Sequence, residues 1–225
     1  MKKLLIFDIY GTLISTGSGS VDSCEKILAL QDQNIDPVIF YSELKQLHRK
    51  HVNECIENNT FLCEWDIFEN DLKTLYEKYN ILRPYKEDIK ILLKTQFNRK
   101  VFDDVIETIN KLKEKFRVVI GSTADTFPLL VNMKFNDLSV HQVYTSEIMK
   151  SYKPDIKFYQ YILEHENIDA KDAVFIGDST LDDVIGPQKL GITTVLIYRS
   201  NNYKEAKAKP DYIIHSLKEL LDIDF

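Results

Sequence analysis

Short apolar runs at Leu4–Phe7, 118–120, 173–176, Thr193–Ile197 and Tyr212–Ile214 are separated for the most part by stretches in which apolar residues recur at helical spacing. Runs this short, bounded by charge or by turn residues, read as strands buried on both faces of a parallel sheet. Helical patterns cover 103–116, 155–166, 181–190 and 216–221. In the first of these, Val105, Ile109, Leu112 and Phe116 form a core-facing stripe. Strand alternating with helix predicts an α/β fold, a parallel sheet covered on both faces.

Between the first strand and the helix at 103 no strand is legible. Helices are predicted there at 21–31, Pro37–Glu57, 61–79 and 85–97, punctuated by Asn, Asp and Pro residues at 34–37 and 82–84. The economical organisation is a core made of residues 1–14 and 98–225, with an all-helical insertion at 15–97 and hinges near 14–19 and 98–103.

A chain of 225 residues, 44% hydrophobic and 28% charged, can bury one core and a modest insertion. Its formal net charge of -6 offers no basic field to nucleic acid or anionic lipid, so the expected partner is a small-molecule substrate, with no nucleic acid and no membrane. Cys24, Cys55 and Cys63 form no CxxC pair and no zinc spacing, and their odd number completes no disulfide framework. Reduced thiols in a cytosol follow. The opening Met-Lys-Lys-Leu-Leu-Ile-Phe imitates a leader only until Asp8, and no apolar run approaches a membrane span, so the expectation is a soluble, cytoplasmic protein. The charges at 204–209 read as solvated surface.

In open parallel sheets ligands bind beyond the carboxyl ends of the strands, which makes the residue after each apolar run the one to inspect. The first run is followed by Asp8-Ile9-Tyr10-Gly11-Thr12-Leu13, the run at 118–120 by Gly121-Ser122-Thr123, and the run at 173–176 by Gly177-Asp178-Ser179-Thr180-Leu181-Asp182-Asp183. Tyr152-Lys153-Pro154-Asp155 lies between the latter two. Carboxylates, a hydroxyl and a lysine thus gather at one edge of the sheet. Carboxylates that close cannot all stay ionised without a cation, and an oxygen-rich site on a rigid scaffold suits Mg²⁺.

Taken together, and over nearly the whole chain, these residues resemble the haloacid dehalogenase superfamily of hydrolases. Asp8-Ile9-Tyr10-Gly11-Thr12-Leu13 is similar to its motif I, Ser122 to motif II, Lys153 to motif III, and Gly177-Asp178 with Asp182 and Asp183 to motif IV. The insertion resembles the helical cap, of C1 type, placed between motifs I and II. The resemblance implies a Rossmann-like, doubly wound core. It also implies Asp8 as a nucleophile forming an aspartyl intermediate. Thr12 and Ser122 become donors to the nucleophile or to transferring oxygens, and Lys153 a point charge offsetting nucleophile and substrate. The implied Mg²⁺ ligands are Asp8, the backbone carbonyl of Tyr10, Asp178 and a second motif IV acid. Asp183 stands at the usual place for that acid, and Asp182 is its neighbour, also readable as a helix N-terminal acid.

Tyr10 departs from the phosphatase pattern. Phosphatases of this superfamily usually carry a second aspartate there to protonate the leaving alkoxide, whereas an Asp-x-Tyr-Gly-Thr-Leu motif resembles the 2-haloacid dehalogenase branch, whose halide needs no proton. Tyr159, in Lys-Pro-Asp-Ile-Lys-Phe-Tyr, matches that branch too, or else is a core-facing aromatic on its helix. Tyr10, Thr123 and Tyr159 are thereby expected toward substrate. Against the dehalogenase branch stands Asp178, where that branch uses serine and asparagine without a metal. The branch's halide-holding cap arginine also falls on Glu43. Arg49 sits in a Leu-His-Arg-Lys-His run that reads as a solvated helix face, and His48 and His51 read as surface residues lacking an acidic partner. The leading expectation is Mg²⁺-dependent hydrolysis of a small phosphorylated metabolite. Metal-independent 2-haloacid dehalogenation is the alternative, and a binding protein that lost turnover through Tyr10 is the third. For a phosphatase without an acid at position 10, the leaving group is expected to depart as an anion, so acyl and aryl phosphates should turn over much faster than alkyl ones; a rate indifferent to leaving-group pKa would mean that another residue, such as Asp182 or a cap side chain, supplies the proton.

Overall fold

The structure, a computed structural model, describes residues 3–31, 34–199 and 208–225; within the charged run at 204–209, residues 204–207 lie outside the described residues. Six parallel strands form one sheet in the order β3-β2-β1-β4-β5-β6, with β1 Leu4–Phe7, β2 Arg117–Ser122, β3 Gln142–Thr145, β4 Ala173–Gly177, β5 Thr193–Ile197 and β6 Tyr212–Ile214. The order reverses direction at β1, which pairs with both β2 and β4. Alternation along the strands sends Leu5, Phe7, Val118, Ile120 and Val174 to one face and Leu4, Ile6, Val119 and Phe175 to the other. The first face is covered by α5 Val105–Lys115, α6 Thr126–Phe135 and the 3₁₀ turn Leu217–Leu221; the second by α8 Ile156–Glu166. This is the expected doubly wound α/β core.

Several elements differ from the sequence-based expectation. The edge strand β3 pairs only with β2 and starts at an exposed Gln142, so it lacks the continuous apolar run of a central strand. Helix α6 carries apolar residues all round, with Leu129 and Met133 buried and Phe127, Leu130 and Phe135 exposed, and so shows no stripe. The helix expected over 181–190 is a π-helical turn, Thr180–Ile185, running into the short helix Gly186–Gln188. A further short helix, α7 Ser146–Met149, follows β3.

Helices α1 Gly19–Ala29, α2 Pro37–Glu57, α3 Glu64–Lys78 and α4 Tyr85–Lys94 form the insertion and enclose a core of their own, including Ile27, Phe40, Leu44, Leu72 and Leu92. Helix α2 starts where the chemistry predicts: Asp36 accepts from the Val38 and Ile39 backbone N–H groups at 2.7 and 3.3 Å, and Pro37 gives up no needed donor. The two chain crossings between insertion and core run side by side. Ser15 N–H donates to the Lys100 carbonyl at 2.9 Å and Phe102 N–H to the Leu13 carbonyl at 3.0 Å, which makes a narrow two-stranded neck. Among the described residues no helix is long and apolar enough to cross a membrane.

Candidate active site

The ladder of β1 continues one residue past the strand, where Asp8 N–H donates to the Ile176 carbonyl at 2.8 Å and fixes the base of the side chain. The chain then turns at Gly11, whose φ is +94° and where a Cβ would fall 2.4 Å from Asp178 Oδ2. Only glycine meets both demands. Lys153, 2% exposed, donates to Asp8 Oδ1 at 2.7 Å and to Asp183 Oδ1 at 2.8 Å. Asp183 Oδ2 accepts from Ser179 N–H at 2.9 Å, and Gly177 makes room for it, since a Cβ there would sit 2.2 Å from the Asp183 carboxyl carbon. One ligand atom from each of Asp8, Asp178 and Asp183 lies within 4.8 Å of the others.

The π-helical turn explains how adjacent acids take different roles. Asp183 points inward to Lys153, while Asp182 points to the insertion, where Arg49 of α2 grips it with two hydrogen bonds of 3.0 and 2.5 Å. The structure therefore joins Asp183, and not Asp182, to the carboxylate cluster. Thr12, expected to serve the nucleophile or the transferring oxygens, instead donates to Asp178 Oδ1 at 3.2 Å and orients that acid. Ser122 and Thr123 line the cavity over Asp8, and Ser122 Oγ also accepts from Ala124 N–H at 3.2 Å. Tyr159 does not line that cavity. Fully buried, it packs on Gly186, where a Cβ would meet its hydroxyl at 2.1 Å, and it donates to the Asp182 carbonyl at 2.5 Å, which supports the π turn from below.

Burial and crowding dominate the electrostatics. Burial pushes the Asp8 carboxyl up against the pull of Lys153, and the Asp178 charge adds to the rise. Asp178 opens to the cavity yet is hemmed in by protein, and burial followed by the Asp183 charge pushes it up to about 6. Asp183 is likewise raised, by burial first. Burial of Lys153 opposes its charge, and Asp183 and Asp8 outweigh it, so its ammonium holds its proton more tightly than usual. Tyr10 lines the cavity with its hydroxyl accepting from Asn132 Nδ2 at 2.9 Å and the Arg99 guanidinium 5.2 Å from its ring centre; burial pushes it up to about 12.

The cavity, of about 460 Å³, lies between core and insertion. Sequence reasoning missed most of its outer wall: Tyr41, Lys45, His48, Arg49, Glu64 and Arg99. Arg49 and His48, taken for solvated residues, face the site. The acidic partner that the histidines lacked in sequence comes from α3: fully buried Asp71 lies 3.3 Å from His48 Nδ1 and 2.5 Å from His51 Nδ1. Glu43 is turned away to Lys78 and Tyr79, at 2.6 and 2.9 Å. The insertion is docked by further contacts: Asp125 of the core accepts from the Glu64 and Trp65 backbone N–H groups at 2.8 and 3.0 Å, and the Tyr152 hydroxyl bonds the Leu62 backbone. Replacing Arg49 by methionine should loosen this closure. A partly exposed ion pair is worth about 0.2–1 kcal/mol, so amide exchange at Glu64 and Trp65 should quicken by up to about fivefold. Unchanged exchange there would mean that the Asp125 and Tyr152 contacts hold the insertion by themselves.

A carboxylate at the switch point of a parallel sheet, held by a buried lysine and roofed by a helical insertion, is the arrangement in which an α/β hydrolase places its reacting groups. The sequence pattern of the haloacid dehalogenase-like hydrolases matches residues 5–197, and the chain belongs to that family. It is 24% identical over 224 residues to (S)-2-haloacid dehalogenase 4A of Burkholderia cepacia, covering 96% of this chain and 91% of that protein. It is 28% identical over 133 residues to a glyceraldehyde 3-phosphate phosphatase of Methanopyrus kandleri, covering 55% of this chain and 56% of that one. A dehalogenase solved as an intermediate complex has the same fold, with a TM-score of 0.81 at 21% identity over 98% of this chain and 96% of the other.

Proposed function

We propose that this hydrolase cleaves a small phosphate ester or anhydride with Mg²⁺. The observation that carries the reading is the cluster of Asp8, Asp178 and Asp183, with ligand atoms within 4.8 Å of one another. Its donors are all hard oxygens, and Gly11 keeps clear the space beside Asp178 that a Cβ would fill, so the residues fit Mg²⁺. Asp8, Asp178 and Asp183, with the Tyr10 carbonyl, would hold the ion, which supplies the positive charge that lets an anionic nucleophile approach an anionic phosphate. Asp8 attacks phosphorus as the bond to the leaving oxygen breaks, and water then cleaves the aspartyl phosphate. Lys153 holds Asp8 in line and offsets charge at the reacting centre, while Ser122 and Thr123, on the wall of the same cavity, would donate to the transferring oxygens.

Tyr10 and the relatives that cleave 2-haloacids favour a second reading, dehalogenation. In that chemistry the same site must accept an anionic substrate and release an anionic halide beside three carboxylates, with Lys153 the sole cation bonded to them among the described residues. A parallel screen of phosphate esters, acyl phosphates and (S)-2-haloacids, with and without Mg²⁺, separates the readings. Phosphate release that a chelator abolishes is the expected result. Halide release indifferent to the chelator replaces this reading with dehalogenation, and stoichiometric Mg²⁺ binding without turnover replaces it with a binding role.

Metal affinity should also depend on pH. An ordinary aspartate ionises near 3.9, whereas Asp178 holds its proton to about 6, so below that pH the ion must expel a proton to bind. Titration calorimetry should show binding roughly tenfold weaker at pH 5 than at pH 7. The sign for stability without metal is the reverse: a raised carboxyl stabilises the fold at low pH, and that contribution is lost as pH rises through about 6. Equal Mg²⁺ affinity at the two pH values would remove Asp178 from the ligand set.

A further inference from the structure

Tyr10 creates a chemical deficit. Its hydroxyl accepts from Asn132, and a phenol is a far weaker acid toward a leaving alkoxide than a carboxyl is, and un-ionised a weak base toward water. Most other titratable groups on the cavity wall are committed. Asp182 is gripped by Arg49, Asp183 by Lys153, and the Nδ1 edge of His48 faces Asp71 while its ring stacks on Phe68 at 4.4 Å. Glu64 differs from them. It lines the same cavity as Asp8 and Tyr10 and is half-buried, and no side chain among the described residues hydrogen-bonds or ion-pairs with its carboxyl, which the Asp125 backbone N–H steadies. Across that cavity it shares the wall with Tyr10, His48 and Arg99.

The position of Glu64 is set by the fold. It is the first residue of α3, and Cys63 before it offers no side-chain cap. The orphan N–H groups of Glu64 and Trp65 are satisfied instead by Asp125, which follows β2 in the core. Asp125 thereby ties the start of α3, and Glu64 with it, to the core beside the cavity.

We propose that Glu64 is the general acid and base of the reaction, delivered by the insertion in place of the aspartate that position 10 lacks. This rests on the phosphatase reading. As Asp8 attacks phosphorus and the bond to the leaving oxygen breaks, the Glu64 O–H gives its proton to that oxygen, and the alcohol departs with Glu64 as carboxylate. In the second step the carboxylate takes a proton from the water that attacks the aspartyl phosphate, which restores Asp8, releases inorganic phosphate and returns Glu64 to its acid form. Burial supports the role by raising the Glu64 carboxyl, with His48 and Arg99 opposing the rise and Asp125 adding to it.

The test is Glu64→Gln, which keeps the shape and removes the exchangeable acid, assayed at saturating Mg²⁺ on a primary alkyl phosphate and on 4-nitrophenyl phosphate. The alkyl ester needs a proton at its leaving oxygen and the nitrophenyl ester does not. We expect kcat/KM to fall by about 10²- to 10⁴-fold on the alkyl ester and to stay within about threefold on the nitrophenyl ester. Equal losses on both, no loss on the alkyl ester, or the same split in His48→Gln with none in Glu64→Gln overturns the assignment. If Glu64→Gln does not fold, Glu64→Asp carries the test: its shortened acid should show the same split at smaller size, and an even loss overturns the proposal. Failure of the phosphatase reading looks different, because the unmodified protein then hydrolyses neither ester.

Discussion

Replacing Asp8 by asparagine should abolish turnover while leaving the fold in place. The swap is nearly isosteric but removes the nucleophilic oxygen, and loss of a covalent nucleophile costs on the order of 10⁴ to 10⁶ in rate. The prediction holds whether phosphate or halide leaves, because both chemistries start with Asp8. Stability should change little. Lys153 keeps its 2.8 Å bond to Asp183, the asparagine amide oxygen still accepts where Asp8 Oδ1 accepts at 2.7 Å, and the weaker pairing is offset by removing a buried charge from a crowded cluster. Single-turnover assays on the active substrate, paired with urea unfolding, test both halves. Activity within tenfold of the parent would end the covalent reading altogether.

What could be read in the chain follows the physics of the parallel sheet. Strands buried on both faces announce themselves as apolar runs, and ligand chemistry collects just past their ends, so Asp8, Ser122, Asp178 and Asp183 were legible by position. The outer wall of the site was not. Arg49, His48 and Glu64 lie on helices whose polar faces look solvated in sequence, since periodicity marks which residues avoid water but not which polar ones meet another body. The partnership of His48 and His51 with Asp71 joins two helices and leaves no trace in local spacing. Tyr159 shows the converse: its place in a motif-like segment suggested contact with substrate, yet the gap left by Gly186 draws it into the core. The choice between Asp182 and Asp183 depended on a π turn, whose extra residue per turn the 3.6-residue pattern cannot express.

The second large effect concerns Lys153, which is the link between nucleophile and motif IV acid. In Lys153→Met, Asp8 and Asp183 lose their shared buried cation, and breaking such a pair by removing one partner costs about 3–5 kcal/mol. The loss should depend on pH with a definite sign. Burial already raises both carboxyls, and without the ammonium they rise further, so the folded variant holds protons that the unfolded chain releases near pH 4. Protonated, the two acids no longer need a cation, and the deficit relative to the parent should shrink toward pH 5 and be largest near pH 8. Urea midpoints of both proteins at the two pH values measure this, and Mg²⁺ at pH 8 should return part of the loss by mass action if the cluster binds it. The stem of Lys153 also packs in the core, with its Nζ 5.1 Å from the centre of the Phe175 ring and 5.8 Å from that of Phe158. Methionine keeps most of that packing, so a deficit equal at pH 5 and pH 8 would show that the lysine serves the core through its shape, and its charge would then count for little in holding Asp8 in line.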